Sequence, residues 1–118
     1  MILHPLREVL ARFAVIEHDG VIVGCAALYP FLGARAGELA CLAVRPDHRD
    51  EGYGERLLRR VEAQARAHRM KKLFVLTTRA THWFIERGFA EAAVTALPKE
   101  KKELYNYQRR SKILVKRI

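Results

Sequence analysis

Apolar and polar positions in the first third of the chain follow the pattern of strands. Residues 13–18 and 21–32 predict two strands, and Asp19-Gly20 between them is a strong signal for a hairpin turn. In residues 38–44, apolar residues occupy both sets of alternating positions. We therefore expect a strand that is buried on both faces and lies centrally in a sheet.

One amphipathic helix is predicted over residues 53–68, with its apolar positions on a single stripe, as expected for a helix that covers one sheet face. The stripe contains Leu57, Leu58, Val61 and Ala65, and the charged residues expected to point elsewhere are Arg59, Arg60, Glu62 and Arg66. Residues 73–76 predict the next strand. Because the helix separates strands 38–44 and 73–76, we expect these strands to be parallel neighbours joined by a right-handed crossover.

The C-terminal third predicts shorter elements. They are a helix over 81–87 ended by Gly88, a strand over 90–97, a helical turn from Pro98 through Tyr105 and a last strand over 111–118. The predicted fold class is therefore α+β, with a mixed, mostly antiparallel sheet flanked by helices. A chain of 118 residues has room for one core, so residues 1–118 are expected to form a single domain.

Composition narrows the classes of function. No signal-peptide pattern and no apolar run of membrane-spanning length occurs, which favours a cytoplasmic protein without a membrane partner. The five histidines have no metal-site spacing, so we expect no metal. Cys25 and Cys41 lie in apolar segments and are expected to be packed thiols rather than a disulfide. The net charge of +9 predicts an anionic partner, either nucleic acid or a smaller anion.

The candidate chemistry lies in the turn between strand 38–44 and helix 53–68. This turn places free backbone N–H groups and the positive end of a helix dipole directly after a buried strand, which predicts an anion site. Glycines there let a ligand approach the backbone, although a tight turn without a ligand is the alternative. Neither the Gly-x-Gly-x-x-Gly of dinucleotide-binding folds nor the P-loop Gly-Lys-Ser/Thr occurs. The turn residues are Arg49, Asp50, Glu51, Gly52, Tyr53 and Gly54.

The pattern Val44-x-Pro46-x-x-Arg49-x-x-Gly52-x-Gly54 resembles the cofactor-binding motif of the GCN5-related N-acetyltransferases, the GNAT family. Residues 83–89 (WFIERGF) are similar to that family's later helix-Gly-Phe element. The resemblance implies acetyl-CoA as co-substrate, with its pyrophosphate on the backbone amides of residues 50–54. It also implies a wedge between splayed parallel strands, 39–44 and 73–77, where pantetheine pairs with strand backbone. The strand residues concerned are Leu42, Ala43 and Val44.

Residues 19–30, 37–44 and 97–112 are similar to the acetyltransferase domains of the bacterial N-acetylglutamate synthases. This similarity implies acetyl transfer to the α-amine of L-glutamate by direct attack, as the first step of arginine synthesis. Glu38 is then the candidate base, acting through a water, with a solvated strand-end carboxylate as the alternative. Backbone N–H groups of Cys41 or Leu42 are the candidate oxyanion donors.

Four residues are candidates for holding the carboxylates of glutamate. Arg109 and Ser111 match the Arg-x-Ser stretch of the synthases, and Lys101 and Arg79 are further cations. Another amino acid or a protein amine as acceptor, and a non-catalytic acetyl-CoA-binding module, are the alternatives. Nucleic-acid binding is disfavoured because the basic residues are scattered rather than interleaved with aromatic residues.

The chain departs from the family pattern at two places. Phe84 occupies the position at which many relatives have a tyrosine acid, so the general acid stays open. Only residues 1–12 precede the first predicted strand, and no amino-acid-kinase-like domain is present, so we expect either a fragment or a stand-alone form. A homo-oligomer is compatible with the sequence.

Overall fold

A computed structural model describes residues 12–105 and 111–118. The elements are β1 (Arg12–His18), β2 (Val21–Phe31), β3 (Ala36–Val44), α1 (Tyr53–Ala67), β4 (Lys72–Thr77), α2 (Thr81–Ile85), β5 (Ala90–Glu91), α3 (Lys99–Tyr105) and β6 (Lys112–Arg117). Three short 3₁₀ turns lie at Leu32–Ala34, Pro46–His48 and Val94–Ala96. The strands form one sheet in the order β1-β2-β3-β4-β6-β5, in which only the β3–β4 pair is parallel. The predicted mixed, mostly antiparallel sheet is confirmed.

The first hairpin turns where the sequence predicts it. Asp19 and Gly20 have φ values of 53° and 80°, and two successive positive φ values are what a two-residue hairpin of the favoured twist requires. β1 and β2 then pair from His18↔Val21 onward.

The main core lies between α1 and one face of the sheet. The whole predicted apolar stripe of α1 is buried there, against Ala26 and Leu28 of β2 and Leu73 of β4. A smaller cluster of Ala36, Phe74, Leu97 and Ile113 covers part of the other face. Side chains alternate between faces along a strand, so Leu73 and Phe74 belong to different clusters.

The prediction that the Glu62 side chain points away from the core is wrong. Its side chain is only 2% exposed, and it accepts a 2.6 Å hydrogen bond from Lys116 Nζ of β6. A buried carboxylate needs such a partner, and the partner lies 54 residues along the chain. The ion pair therefore connects α1 with β6.

The prediction that β3 is buried on both faces is correct for only part of the strand. Residues 36–39 are buried, whereas Ala40, Cys41 and Ala43 are exposed. The reason is that β3 and β4 pair only through Ala36↔Lys72, Gly37↔Leu73 and Glu38↔Phe74. We call residues 36–38 the closed half of β3 and residues 39–44 the open half.

The predicted strand over 90–97 is also wrong in extent. Only Ala90 and Glu91 pair with β6, and a 3₁₀ turn follows at Val94–Ala96. Short apolar runs of alanine and valine fit a helical turn as well as a strand, so their pattern does not separate the two. The predicted helix over 81–87 is observed as Thr81–Ile85, and the last two predicted elements are observed as α3 and β6.

Candidate functional site

The two halves of β3 create a fork in the sheet. β2 pairs with β3 as far as Gly24↔Val44, whereas the register between β3 and β4 ends at Glu38↔Phe74. Among the described residues, the open half therefore has a strand neighbour on one side only. A strand edge of this kind can pair with an extended ligand through its backbone.

A cleft of about 720 Å³ lies beside the open half and the start of α1. Eight of the nine residues predicted to bind the cofactor line it, and Glu51 is the exception. The eight are Leu42, Ala43, Val44, Arg49, Asp50, Gly52, Tyr53 and Gly54. Arg79, predicted as a substrate contact, lines the same cleft, together with Trp83 and Arg87. The structure thus places Arg79 among the predicted cofactor residues.

The turn before α1 has the backbone shape that the glycine signal predicts. Asp50 and Gly52 have φ values of 70° and 78°, and Gly52 is the N-cap of α1. Gly52 has no side chain that could cap α1, so N–H groups of the first turn of α1 are available to an anion. A Cβ at Gly52 would meet nothing within 4 Å, which shows that conformation rather than space favours glycine there.

Gly54 is a glycine for a different reason from the one the sequence suggested. A Cβ at this position would lie 3.2 Å from Cζ2 of Trp83. The space above Gly54 is thus filled by the indole ring of α2, and the glycine permits close packing of α1 against α2.

Arg87 forms part of the cleft wall and is a residue that sequence reasoning missed. Its Nε donates to Glu55 Oε1 at 2.7 Å, its Nη1 donates to the Trp83 carbonyl at 2.9 Å, and its guanidinium lies 3.9 Å from the Trp83 ring centroid. The hydrogen bond from Arg87 holds the pKa of the Glu55 carboxyl below its ordinary value, and Arg59 adds to the effect. The only signal in the sequence is that Arg87 belongs to the WFIERGF segment.

Glu38 lies at the closed end of the fork. Its residue exposure is 7%, so the solvated strand-end carboxylate considered above is wrong. Glu38 Oε1 lies 3.2 Å from Nζ of Lys101, whose side chain is 12% exposed. The candidate base and a candidate substrate cation therefore form one nearly buried ion pair between β3 and α3.

Cys41 and Leu42 both lie in the open half, paired with Ala27 and Ala26 of β2. Cys25 and Cys41 are free cysteines, but Cys41 is exposed rather than packed, since the strand is uncovered there. The sulfur atoms of Cys25 and Cys41 are 3.9 Å apart. Burial, together with the Cys25 thiol, raises the pKa of the Cys41 thiol.

The remaining predicted residues are placed less completely. Ser111 is partly buried, and its carbonyl accepts a 3.1 Å hydrogen bond from the Tyr105 hydroxyl of α3. Arg109 lies outside the described residues. Phe84 is buried against Phe89, with ring centroids 5.2 Å apart, and serves the core.

Two features are absent from the described residues. Residues 12–105 and 111–118 contain no group of three or more histidine, cysteine, aspartate or glutamate residues that could hold a metal ion. Over the same ranges, no helix has the length and apolar character needed to cross a membrane.

Comparison with known proteins assigns the fold and its relatives. Residues 3–96 match the model of the acetyltransferase (GNAT) family. An amino-acid acetyltransferase of Ralstonia nicotianae is 57% identical over 113 residues, which cover 96% of this chain and 25% of that protein. The corresponding protein of Serratia proteamaculans is 60% identical over 110 residues, 93% of this chain and 25% of its own length. The chain spans about a quarter of the length of these curated relatives.

A solved structure extends the comparison to three dimensions. It is N-acetylglutamate synthase from Neisseria gonorrhoeae, complexed with coenzyme A and N-acetyl-glutamate. The TM-score is 0.85 at 47% identity, and the match covers 89% of this chain and 25% of that one. Tetrahymena GCN5 shares the fold at a TM-score of 0.73 and 20% identity.

Proposed function

The chain belongs to the acetyltransferase (GNAT) family, and on that premise we propose that it transfers acetyl from acetyl-CoA to the α-amine of L-glutamate. The single observation that carries this proposal is the forked sheet, whose open strand edge runs into a glycine turn and a helix N-terminus. The names of relatives at 57% and 60% identity support an amino acid as acceptor, and the synthase complex supports glutamate. We also propose that this reaction is the first step of arginine synthesis and that the protein is cytoplasmic.

The donor occupies the cleft beside the open half of β3. Pantetheine lies along the backbone of residues 42–44 as an added strand, and the pyrophosphate accepts hydrogen bonds from N–H groups of residues 50–54. Each charge–dipole contact contributes about 0.3–1 kcal/mol at an exposed helix end, so several must act together. Arg49 and Arg79 add positive charge to the same cleft.

The acceptor amine loses a proton before it attacks the thioester directly, because ammonium has no free electron pair. Glu38 is the proposed base. It lies three residues before Cys41, which is about 10 Å along an extended strand. In this scheme the thioester carbonyl oxygen accepts a hydrogen bond from the backbone N–H of Cys41 or Leu42. At that distance from Glu38, the proton of the amine reaches the carboxylate through water rather than by direct contact.

Lys101 is a positioning residue for Glu38 in this scheme. Its ammonium group at 3.2 Å fixes Oε1 and leaves Oε2 to accept the proton. Lys101 also brings positive charge to a site whose substrate carries two carboxylates. Ser111 and Arg109 remain proposed contacts to those carboxylates, and no side-chain acid is proposed for the departing CoA thiolate.

The deciding experiment measures release of the CoA thiol from acetyl-CoA with L-glutamate, L-aspartate, L-glutamine and a peptide amine as acceptors. Preference for glutamate is the expected result, since two carboxylates meet a cationic site. Preference for another acceptor would overturn the substrate assignment. Saturable acetyl-CoA binding without thiol release over the whole panel would instead identify a binding module.

A further inference from the structure

Cys25 and Cys41 form an adjacent thiol pair on the face of the sheet opposite α1. Cys25 pairs with Ala43 and Cys41 with Ala27, so the two cysteines are diagonal neighbours across β2 and β3. Their side chains share a face, as register partners do, and the sulfur atoms are 3.9 Å apart. Nothing in the proposed reaction uses either thiol.

We propose that this pair is a modification site, at which a small disulfide of the glutathione type oxidises Cys25 and Cys41 to an intramolecular disulfide. The two residues differ in access, as such a reaction requires, because Cys41 is exposed and Cys25 is partly covered. Cys41 is therefore the thiol that an incoming disulfide reaches, and Cys25 is the resolving thiol held next to it. The sulfur atoms must approach by about 2 Å to reach the ~2.05 Å of an S–S bond.

The reaction has two exchange steps. In the first, the Cys41 thiolate attacks one sulfur of the small disulfide, forms a mixed disulfide and releases one small thiolate. In the second, the Cys25 thiolate attacks Cys41 Sγ, the protein disulfide forms and the second small thiolate leaves. The protein loses two protons and two electrons, and the small disulfide is reduced to two thiols.

The cross-link also reaches the site of acetyl transfer. Cys41 lies in the open half of β3, where its backbone N–H is a proposed oxyanion donor. Movement of its sulfur toward β2 strains that backbone, so we expect oxidation to lower acetyl transfer. This consequence rests on the proposed function, whereas formation of the disulfide does not.

The first test counts thiols. The 118-residue protein is treated with oxidised glutathione at mildly alkaline pH, because the pKa of the Cys41 thiol is raised and the thiolate is the nucleophile. After denaturation we expect the titratable thiols to fall from two to none, with no glutathione attached and full recovery in dithiothreitol. Two remaining thiols, or a stable glutathione adduct beside a free Cys25, would overturn the proposal.

Cys25→Ser is the matched control, since it removes only the resolving thiol. It is expected to retain glutathione on Cys41, and an adduct-free product would show that the pair is not the reacting unit.

Acetyl transfer by the oxidised wild type should fall at least about tenfold, since loss of one oxyanion donor costs on the order of 10²–10³ in turnover. The rate of acetyl transfer by Cys41→Ser should be the same before and after treatment with oxidised glutathione. Equal rates for oxidised and reduced wild type would refute the expected loss of acetyl transfer on oxidation. Absence of acetyl transfer before oxidation would refute only the proposed function.

Discussion

The closed and open halves of β3 belong to one strand but have opposite surroundings. In the closed half, β4 covers the strand and buries Glu38 beside Lys101. In the open half, Ala40, Cys41 and Ala43 are exposed, and the strand leads into the glycine turn at the cleft. In the proposed function, the closed half supplies a fixed acid–base group and the open half supplies backbone to a ligand.

The largest effect should follow from replacing the carboxylate of the closed half. Glu38→Gln keeps the shape but removes the base, so turnover should fall by roughly 10²–10⁴-fold, while the acetyl-CoA dissociation constant stays nearly unchanged. Steady-state thiol release and calorimetric titration measure the two quantities. Glu91→Gln, at an exposed position in β5, serves as the control. Unchanged turnover in Glu38→Gln would remove Glu38 from the mechanism.

Packing of the closed half can be tested at Gly37. A Cβ there would approach Leu28 Cδ1 to 2.6 Å and Met70 Sδ to 2.7 Å. Gly37→Val should therefore lower the free energy of unfolding by about 1–3 kcal/mol, measured by urea denaturation. Gly33→Val is the matched variant, because a Cβ at Gly33 meets nothing within 4 Å. An equal loss of unfolding free energy in both variants would mean that the surroundings of Gly37 are not packed more closely than those of Gly33.

In the open half, the corresponding substitution should affect binding rather than packing. Gly52 has a φ of 78°, and an alanine there would pay about 1–2 kcal/mol for a left-handed conformation or shift the turn. Gly52→Ala should raise the acetyl-CoA KM by roughly 5–30-fold, with turnover at saturation retained. Gly33→Ala is the control for alanine itself. A reduced turnover with unchanged KM would contradict the assignment of this turn to the donor.

The smallest effect concerns the ion pair at the cleft wall. The pKa of Glu55 is lowered in the folded protein, so its contribution to stability is present above the unfolded pKa and disappears as the pH falls through the folded one. Arg87→Leu should cost at most about 1 kcal/mol at pH 7, because Glu55 is 36% exposed, and less at pH 3. Thermal unfolding of both proteins at the two pH values measures the difference. A larger loss of stability in Arg87→Leu at pH 3 than at pH 7 would contradict the lowered pKa of Glu55.

Local chemistry made much of the fold predictable. Asp19-Gly20 determines its own turn, and the stripe from Leu57 to Ala65 identifies the buried face of α1 within one element. The separation of β3 from β4 was implied by the family resemblance and not by the local pattern, because residues 38–44 have the same apolar pattern whether or not a neighbour covers them. Its position depends on pairing between distant strands, which no local period records.

The candidate site divides in the same way. The glycine turn is continuous in sequence, so its residues could be named, and all but Glu51 line one cleft. The partners of charged side chains are distant: Lys101 lies 63 residues after Glu38, and Lys116 lies 54 residues after Glu62. Charge alone suggested solvent for Glu62 and substrate for Lys101. Only tertiary packing pairs these residues.

The contact between Gly54 and Trp83 has a consequence for how a ligand enters. Trp83 rests on the first turn of α1, and Arg87 holds the indole from above while binding Glu55 of the same turn. The floor and one wall of the cleft are thus braced against each other by contacts within the protein. We therefore expect ligand binding to require little ordering of these two helices, so that more of the contact energy remains as affinity.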